Sequence, residues 1–259
     1  MNAYLYKTVS VELLPIIFFL IALFYSSVGF GGGSSYLAIL SISLANFHEI
    51  RSTALLLNLT VVSIGTIMYM RHRVFDWKVF WPFLLPSVPL AYLGSQLRFS
   101  ERIFFIILGG LLLLSGGAMI VKFLKAQYAF KPVGLLKRVF LGGSIGFFAG
   151  VSGIGGGIYL SPLLNMMGWS DARKIASLAS VFIMVNSLAG LLGLFLGNTL
   201  ALGNPITLKL VLGVAVGGLI GSYLSNKKLD TRILGLVTAV LVIYVGLRLL
   251  LLHAYGVKI

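Results

Sequence analysis

Ser27–Gly33 reads SVGFGGG and Val151–Gly157 reads VSGIGGG, and each stretch has apolar runs on both sides. Glycine destabilises a helix interior and permits positive φ, so three glycines in succession are typical of an interrupted helix. The two triplets therefore predict two helical segments that break within apolar surroundings.

The triplets belong to an internal repeat. Gly155 follows Gly31 by 124 residues, and later landmarks recur in the same order, since 93–97 reads LGSQL and 220–224 reads IGSYL. The sequence therefore predicts two homologous halves. The N-terminal repeat is placed at 1–123, a basic linker at 124–137 and the C-terminal repeat at 138–259.

The composition predicts an all-α polytopic membrane protein. Hydrophobic residues make up 59% of the chain and charged residues only 10%, whereas a soluble domain carries about 25% charged residues. Most apolar segments approach the length of about 20 residues that a helix needs to cross the hydrocarbon core. The predicted segments are 11–28, 32–46, 52–70, 79–97 and 102–122, then 138–151, 156–168, 174–197, 206–224 and 231–252.

The segments at each glycine triplet allow two arrangements. They form either a hairpin that enters and leaves on one side, or one broken helix that crosses. With hairpins, 13 of the 20 basic residues fall on one side, and with single crossings 12 do. Because basic residues favour the cytoplasmic side, the hairpins are preferred. Each half is then a glycine-broken helical hairpin plus three transmembrane helices, and the halves are inverted repeats, an arrangement common in transporters.

The charged and metal-binding residues exclude several classes of function. The net charge is +14, but the basic residues sit in short loops, where they indicate topology and contacts with membrane lipid instead of nucleic acid. The chain has no cysteine, and its three histidines lie at segment ends or in loops. We therefore predict no metal, no cofactor and no nucleic acid partner.

The glycine breaks are the predicted binding site for a small anionic solute. Each break precedes a helix, and a helix N-terminus offers free N–H groups and partial positive charge. Amides and hydroxyls near the breaks can donate further hydrogen bonds. The competing interpretation is close helix packing at small residues. The predicted substrate-binding residues are Gly31, Gly32, Gly33, Ser34, Ser35, Asn58, Ser152, Gly155, Gly156, Gly157, Asn186 and Ser187.

Arg51 and Arg173 occupy matching places, each two residues after an acid, Glu49 or Asp171. A guanidinium suits a pair of sulfonate oxygens, so both arginines are further candidate anion contacts. The favoured interpretation is plainer: an interfacial arginine that pairs with the nearby acid or extends its charge toward water.

The paired glycine motifs, the two-half layout and the length resemble the TauE/SafE sulfite exporter family, also grouped as toluenesulfonate-uptake permeases. The resemblance covers nearly the whole chain. It implies transport of sulfite, sulfonates or other organosulfur anions, and it supplies no binding residues beyond the glycine motifs. The predicted function is a secondary transporter in a bacterial inner membrane, with the anion bound near the midplane between the repeats.

Three other functions compete with a transporter. An anion channel would share the glycine-lined path but lack alternating access. An intramembrane serine protease has one motif in its favour, GVSG at 150–153, but no histidine base lies in a central segment, so no enzyme is predicted. A scaffold would use the glycines for packing alone. Glycines at 213, 217 and 221 have the spacing of a packing face inside the fold, with a homodimer contact as the alternative.

Overall fold

The structure is a computed structural model that describes residues 12–44, 46–97, 100–124, 133–225 and 231–255. All regular secondary structure in these ranges is helical, which confirms the all-α prediction. Residues 125–132, the centre of the predicted linker, lie outside the described ranges. The helices are α1 (Leu14–Ser27), α2 (Gly33–Ser43), α3 (Phe47–Arg71), α4 (Trp77–Gln96), α5 (Glu101–Leu124), α6 (Leu135–Ser152), α7 (Gly157–Met166), α8 (Ala172–Leu196), α9 (Ile206–Ser225) and α10 (Thr231–Tyr255).

All helices except α3 begin and end within three residues of the predicted apolar segments, and α3 begins at Phe47 instead of 52. Helix α6 begins at Leu135 instead of 138, because Lys137 and Arg138 extend it as its first turn. Its 18 residues span about 27 Å. Five helices in the described part of the chain are long and apolar enough to cross a membrane, namely Phe47–Arg71, Arg102–Val121, Leu135–Ser152, Arg173–Leu196 and Ile206–Leu224. The chain is a multi-pass membrane protein.

Large apolar side chains face outward along these helices. Leu136 is 84% exposed, Leu114 73% and Phe140 71%. The interior is also apolar, but it contains buried serines, threonines and asparagines near the glycine breaks. An apolar exterior around a partly polar interior suits a protein whose surrounding solvent is lipid.

Two glycine interfaces each join a helix of one half to a helix of the other. In the first, Gly213, Gly217 and Gly221 of α9 face the backbone of Pro15, Phe19 and Leu23 of α1. In the second, Gly142, Gly146 and Gly150 of α6 face the backbone of Phe83, Ser87 and Ala91 of α4. Small residues let helix backbones approach this closely. The glycine spacing in α9 is thus a packing face inside the fold, as predicted, and the homodimer stays a prediction.

Alanine substitution at the second glycine interface tests how closely the backbones pack. A methyl group at Gly150 would overlap the carbonyl oxygen of Ala91, whereas one at Gly117 of α5 would meet nothing within 4 Å. We expect Gly150→Ala to lower the free energy of unfolding by about 1–3 kcal/mol through overpacking. The control, Gly117→Ala, should leave it unchanged or raise it slightly, since alanine is the better helix former. Equal thermal unfolding midpoints for both variants in detergent would contradict this packing.

The contacts fix the relative directions of the helices in the first half. Rising residue numbers meet rising numbers between α1 and α9, so these helices are parallel. Helix α3 also runs parallel to α9, because Gly218 packs at Val61 and Gly65 near Ser222. Helix α2 runs the other way. It begins beside Asn58 in the middle of α3, and it ends at Ser43, four positions before α3 begins at Phe47. Helices α1 and α2 therefore form a hairpin that opens at the end of the bundle where α3 begins.

The second half contains a corresponding hairpin that opens at the other end. Helix α6 is parallel to α4, and α7 leads back to the start of α8. Helix α8 is antiparallel to α3, because Ser187 lies at Asn58 while Ser180 lies at Thr66. The end where α4, α6 and α8 begin carries many cations, and we call it the basic end. Its cations are Arg71, Arg73, Lys78, Lys137, Arg138, Arg173 and Lys174. The inversion of the halves across a bilayer stays a prediction.

Candidate functional site

Asn58 lies halfway along α3, at the centre of the bundle, and is 1% exposed. Its Oδ1 accepts a hydrogen bond from the backbone N–H of Gly33 at 3.2 Å. Its Nδ2 donates to the carbonyl oxygen of Ile154 at 2.9 Å and to Ser187 Oγ at 3.3 Å. One side-chain amide thus joins the first residue of α2, the loop before α7, and α8.

The two glycine triplets meet this amide from different sides. A methyl group on Gly31 would overlap Asn58 Oδ1, and one on Gly155 would lie 2.9 Å from Asn58 Nδ2. A methyl group on Gly33 would lie 2.9 Å from Ile154 Cγ2. Glycine is therefore required on both sides of Asn58 so that the backbone can approach the amide. The structure brings the two breaks together in the interior of the protein.

The middle glycine of each triplet also has a backbone conformation that other residues avoid. Gly32 has φ +91° and caps the start of α2, and Gly156 has φ +82° just before α7 begins. Positive φ costs glycine little and costs L-residues with a side chain considerably more. At each triplet the preceding helix therefore ends, the chain turns, and the next helix begins in a different direction. The first turn of any helix leaves N–H groups without partners in that helix.

The predicted serines have different surroundings. Ser34 and Ser35 are buried, and the Tyr25 hydroxyl hydrogen-bonds to both, at 3.5 Å and 2.9 Å between oxygens. Ser152 is also buried, but its hydroxyl donates to the carbonyl of Phe148 in its own helix at 2.7 Å. Hydroxyls of this kind can rotate toward a ligand, so all three remain candidate contacts beside the glycine breaks.

Asn186 is 1% exposed, and neither its Oδ1 nor its Nδ2 has a hydrogen-bond partner among the described residues. A buried polar group without a partner costs about 1–3 kcal/mol. Its neighbour Ser187 is buried and accepts the hydrogen bond from Asn58. A ligand that supplied hydrogen-bond partners to Asn186 would remove this cost.

Tyr36 is a candidate that sequence reasoning missed. Its ring stacks on Phe18, with centroids 5.1 Å apart, and its buried hydroxyl lacks a partner among the described residues. A methyl group on Gly32 would lie 2.9 Å from this hydroxyl, so the Tyr36 hydroxyl borders the first glycine break. The signal in the sequence was its position, three residues after the triplet and next to the serine pair Ser34-Ser35.

The structure separates the two candidate arginines. Arg173 is exposed at the basic end, at the start of α8, while Arg51 is 5% exposed near the start of α3. The expected pairing of Arg51 with Glu49 is wrong. Its guanidinium donates to the carbonyl oxygens of Gly150 and Ser95, at 3.3 and 3.5 Å. Residues of α4 and α6 fold over the first turn of α3 and bury this arginine, which sequence spacing alone does not reveal.

A cavity of about 410 Å³ lies beside Arg51 at the end of the bundle opposite the basic end. It is formed where α3 begins and where α4 and α8 end. Its lining includes Phe47, His48, Arg51, Gln96, Leu196 and Thr199. The described site thus has two parts, a packed centre at Asn58 and an open cavity at Arg51.

Comparisons with known proteins point to a family of membrane transporters. A family model described as sulfite exporter TauE/SafE matches residues 14–249. The chain is 33% identical over 241 residues to "Probable membrane transporter protein y4hK" of Sinorhizobium fredii, covering 92% of this chain and 97% of that protein. It is also 33% identical over 132 residues to "Probable membrane transporter protein MamO" of Paramagnetospirillum magneticum, covering 49% of this chain and 21% of that protein. No solved structure matches the chain.

Proposed function

The chain belongs to the TauE/SafE sulfite exporter family, and from this premise we propose that it is a secondary transporter of a small anion, bound between the two halves near the middle of the membrane. Membership confirms the resemblance drawn from the glycine motifs, and it makes the protein a membrane transporter. The anion we propose is sulfite, a sulfonate or another organosulfur anion. The bacterial inner membrane is the expected location.

The hydrogen bond from Gly33 N–H to Asn58 Oδ1 is the observation that carries the proposal. An amide oxygen here occupies the place that an oxyanion oxygen would take in front of a helix N-terminus. The site needs no fixed cation, because backbone N–H groups and helix dipoles already favour negative charge there. Asn58 would release Gly33 when the anion arrives, and its Nδ2 would turn from Ile154 to the anion.

The remaining predicted residues complete the proposed site. Ser34, Ser35, Ser152 and Ser187 supply hydroxyl donors, and Asn186 supplies a buried amide without a protein partner. Glycines at the two breaks let the anion touch the backbone directly. A site of neutral donors binds an anion while still allowing its release, because no full charge has to be separated from it. This suits a carrier more than a tight binding protein.

Transport by purified protein in liposomes tests the proposal. Uptake of ³⁵S-labelled sulfite under inert gas should saturate, and unlabelled sulfite inside the vesicles should accelerate it, because a carrier returns faster when loaded. Sulfate, taurine and lactate, tested as competitors, would define the solute class. Uptake that does not saturate and appears as unitary currents would show an anion channel instead. No uptake of labelled sulfite, sulfate, taurine or lactate above that of empty vesicles would contradict the transporter.

A further inference from the structure

Arg51 is a buried cation whose partners among the described residues are all neutral. Its guanidinium contacts two backbone carbonyl oxygens, and its Nε has no partner among the described residues. A charge removed from water is strongly unfavourable unless an opposite charge or a full set of hydrogen bonds compensates it. Two carbonyls, one of them 3.5 Å away, satisfy only part of a five-donor group. The missing component is a negative charge.

Aromatic rings hold the guanidinium in place. Its central carbon lies 5.7 Å from the centroid of the Phe47 ring and 5.2 Å from that of Phe104. These rings favour a cation but contribute no acceptor that would fill its donors. They also restrict the side chain, so its planar donors are fixed before any ligand arrives. A guanidinium group with a fixed orientation can donate two parallel hydrogen bonds to two oxygens of one oxyanion.

The cavity beside Arg51 has the size and the polar groups that an oxyanion needs. Its volume of about 410 Å³ is within the range of small-ligand sites. His48, Gln96 and Thr199 line it together with Arg51 and supply further hydrogen-bonding groups. The cavity is therefore a shaped pocket with a fixed cation in its wall, and not only a gap between helix ends.

We propose that this cavity is an oxyanion-binding site, with Arg51 as its positive charge, distinct from the centre at Asn58. The two residues lie seven positions apart on α3, which corresponds to about 10 Å along the helix. The oxyanion comes either from a free solute or from the phosphate of a lipid headgroup, because both present the same group of oxygens. We call this cavity the outer site and the centre at Asn58 the central site. Anion binding at the outer site does not rest on the proposed transport function. If both sites bind, each chain holds two anions.

Equilibrium binding of ³⁵S-sulfite to protein in phosphatidylcholine nanodiscs tests the number of sites. We expect two anions per chain for the wild type, one for Arg51→Gln and one for Asn58→Leu. Arg102→Gln is the matched control, because it removes a cation at the same end of the bundle that does not line the cavity. It should bind as the wild type does. If Arg51→Gln does not fold, Arg51→Lys should keep the site with an affinity about tenfold weaker, since lysine lacks the planar fork.

The possible results separate the two sites. One anion per chain that Arg51→Gln removes and Asn58→Leu retains would support the outer site and contradict the central one. If Arg51→Gln binds as many anions per chain as the wild type in phosphatidylcholine, the outer site is overturned. In phosphatidylcholine the choline neutralises the headgroup phosphate, whereas the phosphate of phosphatidylglycerol keeps a net negative charge that can compete for Arg51. Replacing the first lipid with the second therefore identifies the source. A drop from two sulfite ions to one, absent in Arg51→Gln, would assign the cavity to the lipid phosphate.

Discussion

Asn58→Leu is expected to reduce sulfite flux through the reconstituted protein by about tenfold to a hundredfold. Leucine has a similar size but offers neither the Oδ1 that holds Gly33 nor the Nδ2 that would donate to the anion. A hydrogen bond to a charged group contributes about 1.5–3 kcal/mol. Losing the one hydrogen bond that Nδ2 would donate to the anion corresponds to a factor of about 10 to 150. Initial uptake rates in liposomes, normalised to folded protein, measure the effect.

Thr66→Val is the matched control for that experiment. Thr66 is also buried on α3, and its hydroxyl hydrogen-bonds to Ser180 of α8 at 3.1 Å, but it lies two turns beyond the glycine breaks. Removing one interhelical hydrogen bond should cost about 0.6 kcal/mol of stability and leave flux nearly unchanged. Equal losses of flux in both variants would mean that helix packing, and not anion contact, explains Asn58. Wild-type flux in folded Asn58→Leu would exclude the central site.

Gly31→Ala should have the second largest effect, and it acts on the same amide from the opposite side. The φ of Gly31 is not in the left-handed region, so alanine fits the backbone, but its methyl group would overlap Asn58 Oδ1. Asn58 must then move away from Gly33, and the methyl group takes up space that an anion oxygen would need. We expect flux to fall at least about tenfold, with stability lower by about 1–3 kcal/mol as in other overpacked cores.

The second control and a double variant make this prediction specific. Gly110→Ala places a methyl group where nothing lies within 4 Å, so flux and stability should stay close to wild type. In an Asn58→Ala background, Gly31→Ala should cost less stability than it does in the wild type, because the main clash is gone. A contact with Val62 Cγ1 at 2.9 Å would remain, so relief is partial. Additive stability losses would show that Gly31 and Asn58 do not contact.

Much of the fold could be predicted because it depends on apolar runs and on glycine spacing. The triplets at 31–33 and 155–157 predicted the breaks, and the apolar runs predicted ten segments close to the observed helices. The start of α6 was missed, because Lys137 and Arg138 interrupt the apolar run although they tolerate the first turn of a helix. Basic residues show where the chain reaches water at the membrane surface. A helix can continue past that point, so the end of an apolar run and the end of the helix can differ.

The centre of the site was only partly predictable. An asparagine in an apolar run needs partners, so Asn58 and Asn186 could be selected, but their partners depend on how α3 meets α8. The cavity at Arg51 was missed for a similar reason. Its wall comes from the ends of α4 and α8, which are far from Arg51 in the chain. Glu49, two residues away, was therefore the predicted partner of Arg51. Contacts between distant helix ends leave no periodic signal in one sequence.

The glycine interfaces have a mechanical consequence. Helix α1 is held against α9 and α6 against α4 by backbone contact, and each of these pairs contains one helix from each repeat. Backbones packed this closely cannot slide apart without exposing their glycine grooves, so each pair should move as one rigid body. We therefore expect the moving parts of the transport cycle to contain helices from both halves of the chain, because separating the N-terminal half from the C-terminal half would break both interfaces.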